Sequence, residues 1–123
     1  MQLVCDGEAV SIEDSSVIRY ARWADRVVVE LRLWDDRLVE VCFVHVVGVC
    51  EVLAGDVSHV RRQVVDACRD DVFAAESISQ YYGTLNGAVI VFEFVDPEDR
   101  VVLRIASTAE DAAPSVRWIC NAK

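Results

Sequence analysis

Residues 26–47, RVVVELRLWDDRLVEVCFVHVV, decide the fold class. Val27, Val29, Leu31 and Leu33 alternate with Glu30 and Arg32, the pattern of a half-buried β-strand. Asp35-Asp36 reads as a turn, after which Val39, Val41, Phe43, His45 and Val47 share one face of a strand over 37–47. So short a connection cannot carry a parallel crossover, so the two strands pair antiparallel. The chain holds 24 valines, and β-branched side chains at that density favour pleated, half-buried backbone.

Outward from this stretch the pattern extends in both directions. A strand over 17–23 precedes it through the short Ala24-Asp25 connection, and Gly48 predicts a bend or bulge into a fourth strand over 49–53. Gly55-Asp56 then breaks the alternation. Asp56 reads as an N-cap, and Val57, Val60, Val64, Ala67 and Cys68 recur at helical spacing, which predicts one α-helix over 57–69. Asp70-Asp71 closes it against the helix dipole. Asn86-Gly87 predicts a type I′ hairpin joining strands over 78–85 and 88–95. A turn at 96–99 and a strand over 101–106 follow, and residues 116–120 either add a final edge strand or dock Trp118 on the body. The expected architecture is α+β and mainly antiparallel β, in a single domain spanning 1–123. Seven or eight strands form a curled sheet, a partly closed barrel or a sandwich, with the helix plugging one end.

Composition narrows the function. The chain has 123 residues, 54% of them apolar, with five Gly and two Pro, which argues against disorder and collagen-like repeats. The net charge of −9 repels phosphate, and no run of Lys or Arg offers an electrostatic footprint, so nucleic acid is not an expected partner. Asp6, Glu8, Glu13 and Asp14 stand in residues 1–16 without a base, and five acids face Arg100 and Arg104 in 96–111. Residues 17–37, by contrast, hold five arginines against four acids. The acidity solubilises the protein, and in a sharper reading it complements a basic protein partner. Five widely spaced cysteines with no C-x-x-C fit reduced thiols. No basic segment precedes Asp6 and no apolar run reaches the length of a membrane helix, so a cytoplasmic protein without a membrane span is expected.

Chemistry has few footholds. Cys42, Cys50 and Cys68 with His45 and His59 match no zinc spacing. The Cys50/His59 and Cys68/His45 pairs belong to no nucleophile motif, and G-x-S-x-G and phosphate-cradling glycine loops are absent. No catalytic residue, metal or cofactor is therefore expected. Asp35-Asp36, Asp70-Asp71 and Glu98-Asp99 fall at element ends, where Asp bonds its own backbone. A tyrosine of the pair Tyr81-Tyr82, exposed near Trp23 or Trp34, would make a binding anchor.

Glu13-Asp14-Ser15-Ser16-Val17 leads into the strand over 26–33 and then into Arg37-Leu38-Val39-Glu40-Val41-Cys42-Phe43. Phe92-Glu93-Phe94 and Val102-Leu103-Arg104-Ile105-Ala106 follow. This order, over residues 13–106, resembles the small β-rich bacterial immunity proteins of toxin–immunity systems. Those families often carry His-Asp before the first strand, where Glu13-Asp14 stands here. The resemblance implies a non-catalytic protein that binds and blocks a toxin. The expectation is thus a protein-binding module with Asp35, Asp36, Asp70, Asp71, Glu98 and Asp99 as contacts. The alternative is a small ligand-binding or Cys/His-dependent enzymatic barrel, and a third reading is a homo-oligomer formed through an edge strand.

Overall fold

In the computed structural model, which describes residues 2–51, 56–66, 88–108 and 114–120, every regular element is a β-strand. In chain order these are β1 (Gln2–Cys5), β2 (Glu8–Ser11), β3 (Ser15–Trp23), β4 (Arg26–Arg32), β5 (Leu38–Phe43) and β6 (Val46–Glu51). They are followed by β7 (Asp56–Val57), β8 (His59–Asp66), β9 (Ala88–Val95), β10 (Val101–Ser107) and β11 (Ser115–Cys120). They form three open sheets: β1-β2, β6-β10-β9-β8 and β11-β5-β4-β3-β7, with every pairing antiparallel. This corrects the expected α+β class and its partly closed barrel.

The alternation in 26–47 does what its period demands. Val27, Val29, Leu31, Val39, Val41 and Phe43 are buried on one face of the five-stranded sheet. Across the core lie Phe92 and Phe94 of the four-stranded sheet, with ring centroids 4.9 and 6.1 Å from Phe43. Tilted and edge-on rings at these separations add to the area term that holds the two sheets face to face.

Two expectations fail for identifiable reasons. Residues 56–57 and 59–66 are strands, not the first part of a helix over 57–69. β9 is buried on both faces, from Val89 and Val91 on one to Ile90 and Phe92 on the other, so it needs a partner strand at each edge. β8 supplies one over its whole length, from His59 opposite Val95 to Asp66 opposite Ala88, and β10 supplies the other. The valine spacing satisfied a helix equally well, and tertiary pairing overrode it. Of the expected Asn86-Gly87 hairpin, the arm over 88–95 is β9. Residues 67–87, including Asn86-Gly87, lie outside the described residues.

The second concerns the place where the chain bends from the third expected strand into the fourth. The strand over 37–47 breaks earlier, at His45, which takes a left-handed φ of 55°. Ser107 Oγ donates to the Val44 carbonyl at 2.8 Å, Val46 N–H to Asp25 O at 2.7 Å and Thr108 N–H to His45 O at 3.1 Å. These bonds satisfy the corner as the chain leaves one large sheet for the other. Gly48 lies inside β6, opposite Ala106, and the register shift beside it, where Val46 faces Ser107, is the bulge expected there. The β1–β2 hairpin is an addition: Asp6 and Gly7 have φ of 51° and 81°, the paired left-handed values of a type I′ turn.

Replacing Phe92 with alanine removes the ring nearest Phe43 and leaves a cavity between the sheets. The expected cost is about 3–5 kcal/mol, read as a lower urea midpoint. A loss below about 1 kcal/mol would show that this contact does not hold the sheets together.

Candidate functional site

Turns rather than strands carry most of the surplus acid, and the fold gathers several of them at one end. The hairpin turn between β4 and β5 closes with Leu33 N–H donating to Arg37 O at 2.8 Å and Asp36 N–H to Leu33 O at 3.0 Å. The turn between β9 and β10 repeats this arrangement: Asp96 N–H donates to Arg100 O at 2.8 Å and Asp99 N–H to Asp96 O at 3.0 Å. In each, the third loop residue is left-handed, Asp36 at φ 67° and Asp99 at φ 64°. A tight turn followed by one left-handed residue is a common three-residue hairpin loop, and Asp tolerates that conformation better than most residues do.

A cleft of about 370 Å³ lies between these turns, lined by Asp14, Asp36 and Asp56 together with Arg32, Trp34 and Pro97. Asp56 and Val57 of β7 line it, and the chain crosses from β7 to β8 directly after them. Ser58 N–H donates to Val95 O at 2.7 Å and Asp14 N–H to Ser58 O at 3.1 Å, so the two large sheets are tied there. Asp56, read from sequence as a helix N-cap, instead accepts from Ser16 Oγ at 2.8 Å. Trp34 stands at the cleft with 72% of its surface exposed.

The acids at this end are not equivalent. Asp35 is half-buried and bound to Arg37, its Oδ2 accepting from Nε at 2.7 Å, and Arg37 also reaches Glu8 at 3.0 Å. These contacts, Glu8 above all, raise the already high pKa of Arg37, so its charge is permanent. The same guanidinium lies 4.5 Å over the Trp118 ring. Buried Asp96 accepts from the Glu98 and Arg100 N–H groups at 2.9 and 2.8 Å and from Arg100 Nε at 3.0 Å. Asp35 and Asp96 therefore build turns, whereas Asp36, Glu98 and Asp99 are exposed. Asp70 and Asp71 lie outside the described residues.

Sequence spacing could not reveal that Asp14 and Asp56 join Asp36, because only the β3–β7 pairing of Ser15 with Val57 and Ser16 with Asp56 brings them together. The signal for Trp34 was available: a tryptophan beside a two-acid turn has little core to enter.

The outer face of the five-stranded sheet holds a second cleft, of about 540 Å³, lined by Trp23, Arg26, Val28, Glu40, Cys42 and Arg117 among others. Arg19 binds Glu30 through two bonds of 2.7 and 2.8 Å, and Arg117 binds Glu40 at 2.6 Å, so the opposed carboxylates Glu30 and Glu40 are each neutralised. Cys42 is a half-buried free thiol there. Burial, assisted by the Asp6 charge, pushes the Cys5 thiol up.

The sheet order separates the Cys50/His59 pair: β6 and β8 are opposite edges with two strands between them, about 14 Å apart at normal strand spacing. Cys68 lies outside the described residues. Among the described residues no group of three or more His, Cys, Asp or Glu is placed to hold a metal ion, and no helix is long and apolar enough to cross a membrane. No family model, curated protein or solved structure matches this chain.

The Asp96 carboxyl is held below its ordinary value of 3.8, first by the Arg100 backbone N–H and then by the Arg100 side chain and the Glu98 N–H, against an opposing effect of burial. A depressed carboxyl contributes stability above its unfolded pKa and loses it as pH falls toward the folded value. Asp96→Asn should therefore lower the urea midpoint at pH 7 and flatten its fall below about pH 4. Parallel curves for the two proteins would contradict this role.

Proposed function

We propose that the protein is a non-catalytic binding module whose acidic end meets a basic protein surface. The carrying observation is the exposed Trp34 beside a cleft lined by Asp14, Asp36 and Asp56, with Glu98 and Asp99 on the neighbouring turn. Tryptophan supplies a large desolvated contact, while the surrounding carboxylates steer encounter and select a partner of opposite charge. Arg37 is bound to Asp35 and Glu8, and Arg100 is shared between Asp96 and the exposed Glu98 at 3.0 and 3.1 Å, so the acids nearest Trp34 are Asp14, Asp36 and Asp56 of the cleft. The specific form proposed is an immunity-type inhibitor that blocks a toxin, in keeping with the resemblance over residues 13–106.

The neighbouring gene's product is the partner to test. Binding of this chain should abolish its toxicity at one-to-one stoichiometry. Reversing Asp36, Glu98 and Asp99 to lysine should slow association roughly tenfold at low salt and weaken its salt dependence. Trp34→Ala should chiefly speed dissociation, by about 2 kcal/mol in affinity. A non-toxic neighbour, or an association rate indifferent to salt, would remove the inhibitor reading or the electrostatic one respectively.

A second reading rests on the outer-face cleft, where Trp23 and Cys42 stand together as they would in a small ligand-binding or thiol-dependent site. Thiol titration of the native protein discriminates. A Cys42 that reacts far faster than a free thiol at neutral pH favours this reading, and slow reaction favours an inert side chain.

A further inference from the structure

We infer that the free edge of β3 is a docking site for an extended acidic strand. β3 runs from Ser15 to Trp23, but on the side away from β4 it is paired among the described residues only at Ser15 and Ser16, by β7. Ile18, Arg19, Ala21, Arg22 and Trp23 are all exposed, Trp23 at 60%, and among the described residues no strand pairs with this edge beyond Ser16.

The direction of its backbone groups follows from the hairpin. Trp23 and Arg26 flank the two-residue Ala24-Asp25 loop and form a mutually hydrogen-bonded pair. Alternation along the antiparallel ladder then directs the Ala21 groups toward Val28, and leaves the N–H and C=O of Tyr20 and Arg22 facing outward. Such a row is a ready template for an added strand.

Charge selects the occupant. Arg22 donates only to the Ala24 carbonyl, at 3.3 Å, and neither it nor Arg26 has an ion pair among the described residues. Arg19 is 73% exposed at its side chain even while bound to Glu30, so it can accept a second carboxylate. Asp25, in the loop between β3 and β4, lies 3.7 Å from His45. A second copy added edge to edge would bring a second Arg19 onto the outer face and a second Arg22 onto the opposite face, and like charges across a strand pair repel. An acidic strand removes that repulsion. The protein's overall acidity acts only weakly here, because charges beyond about 8 Å are screened at physiological ionic strength.

The test uses the whole chain and two blocked octapeptides, Thr-Glu-Val-Glu-Val-Glu-Val-Thr and its lysine counterpart. The acidic peptide should slow hydrogen exchange at the Tyr20 and Arg22 amides roughly tenfold or more, while the lysine peptide should not. Arg22→Glu should weaken binding roughly three- to tenfold, as expected for loss and reversal of an exposed ion pair. Arg22→Pro, which removes an outward donor without touching the β4 ladder, should abolish it with the circular dichroism unchanged. If the proline variant does not fold, Arg22→Glu decides. Equal protection by both peptides, no protection at millimolar peptide, or a dimer in sedimentation that Arg22→Pro dissolves would each overturn the proposal, the last in favour of a second copy.

Discussion

β9 is the constraint on which the rest of this structure depends. Ala88–Val95 has buried side chains on both faces, and a strand of that kind is stable only inside a sheet that is itself covered. Both of its edges must be paired, which draws β8 and β10 alongside. Its Phe92 and Phe94 must then be covered, and Phe43 of the opposite sheet covers them. The β5–β6 corner at His45 follows from the same demand, since it carries the chain from the sheet that holds Phe43 to the edge of the sheet that holds Phe92.

One buried charge lies within this apolar strand. Glu93 is only 7% exposed and is flanked by Arg61 of β8 at 3.3 Å and Arg104 of β10 at 3.1 Å. A carboxylate so placed is costly without partners. The register sets Arg61 and Arg104 directly opposite it, on the two neighbouring strands. The trio thus belongs to the observed strand register, in which β8 and β10 set Arg61 and Arg104 on the face of Glu93.

How far the sequence discloses this depends on the range of the signal. Alternation of period two in 26–43, the apolar run over 101–106, and the turns at 24–25, 35–36 and 96–99 were all legible because each is decided within a few residues. The Asp6-Gly7 turn had the same local signature as Asn86-Gly87, and the short strands beside it concealed it. β8 was illegible for a different reason: Val57, Val60 and Val64 fit a helix, and only the pairing demand of β9, some thirty residues away, selects the strand. The acidic end was half legible. Asp36, Glu98 and Asp99 belong to turns that any reading of the chain identifies, but their meeting with Asp14 and Asp56 depends on the two-residue β3–β7 pairing, which no local pattern encodes.

The opening stretch of β3 gives this charge distribution its direction. Ser15 and Ser16 line the acidic cleft, whereas Arg19, Arg22 and Trp23 occupy the other end of the same strand. A net charge of −9 therefore describes neither surface. At distances beyond the screening length a partner meets a mildly acidic body, but within it the two ends present opposite fields. Surfaces of opposite sign on one rigid strand can bind partners of opposite sign at once. Each arginine at one end also penalises a second copy docking there edge to edge, and each carboxylate at the other end penalises the approach of nucleic acid. The uneven placement of charge works as much by exclusion as by attraction.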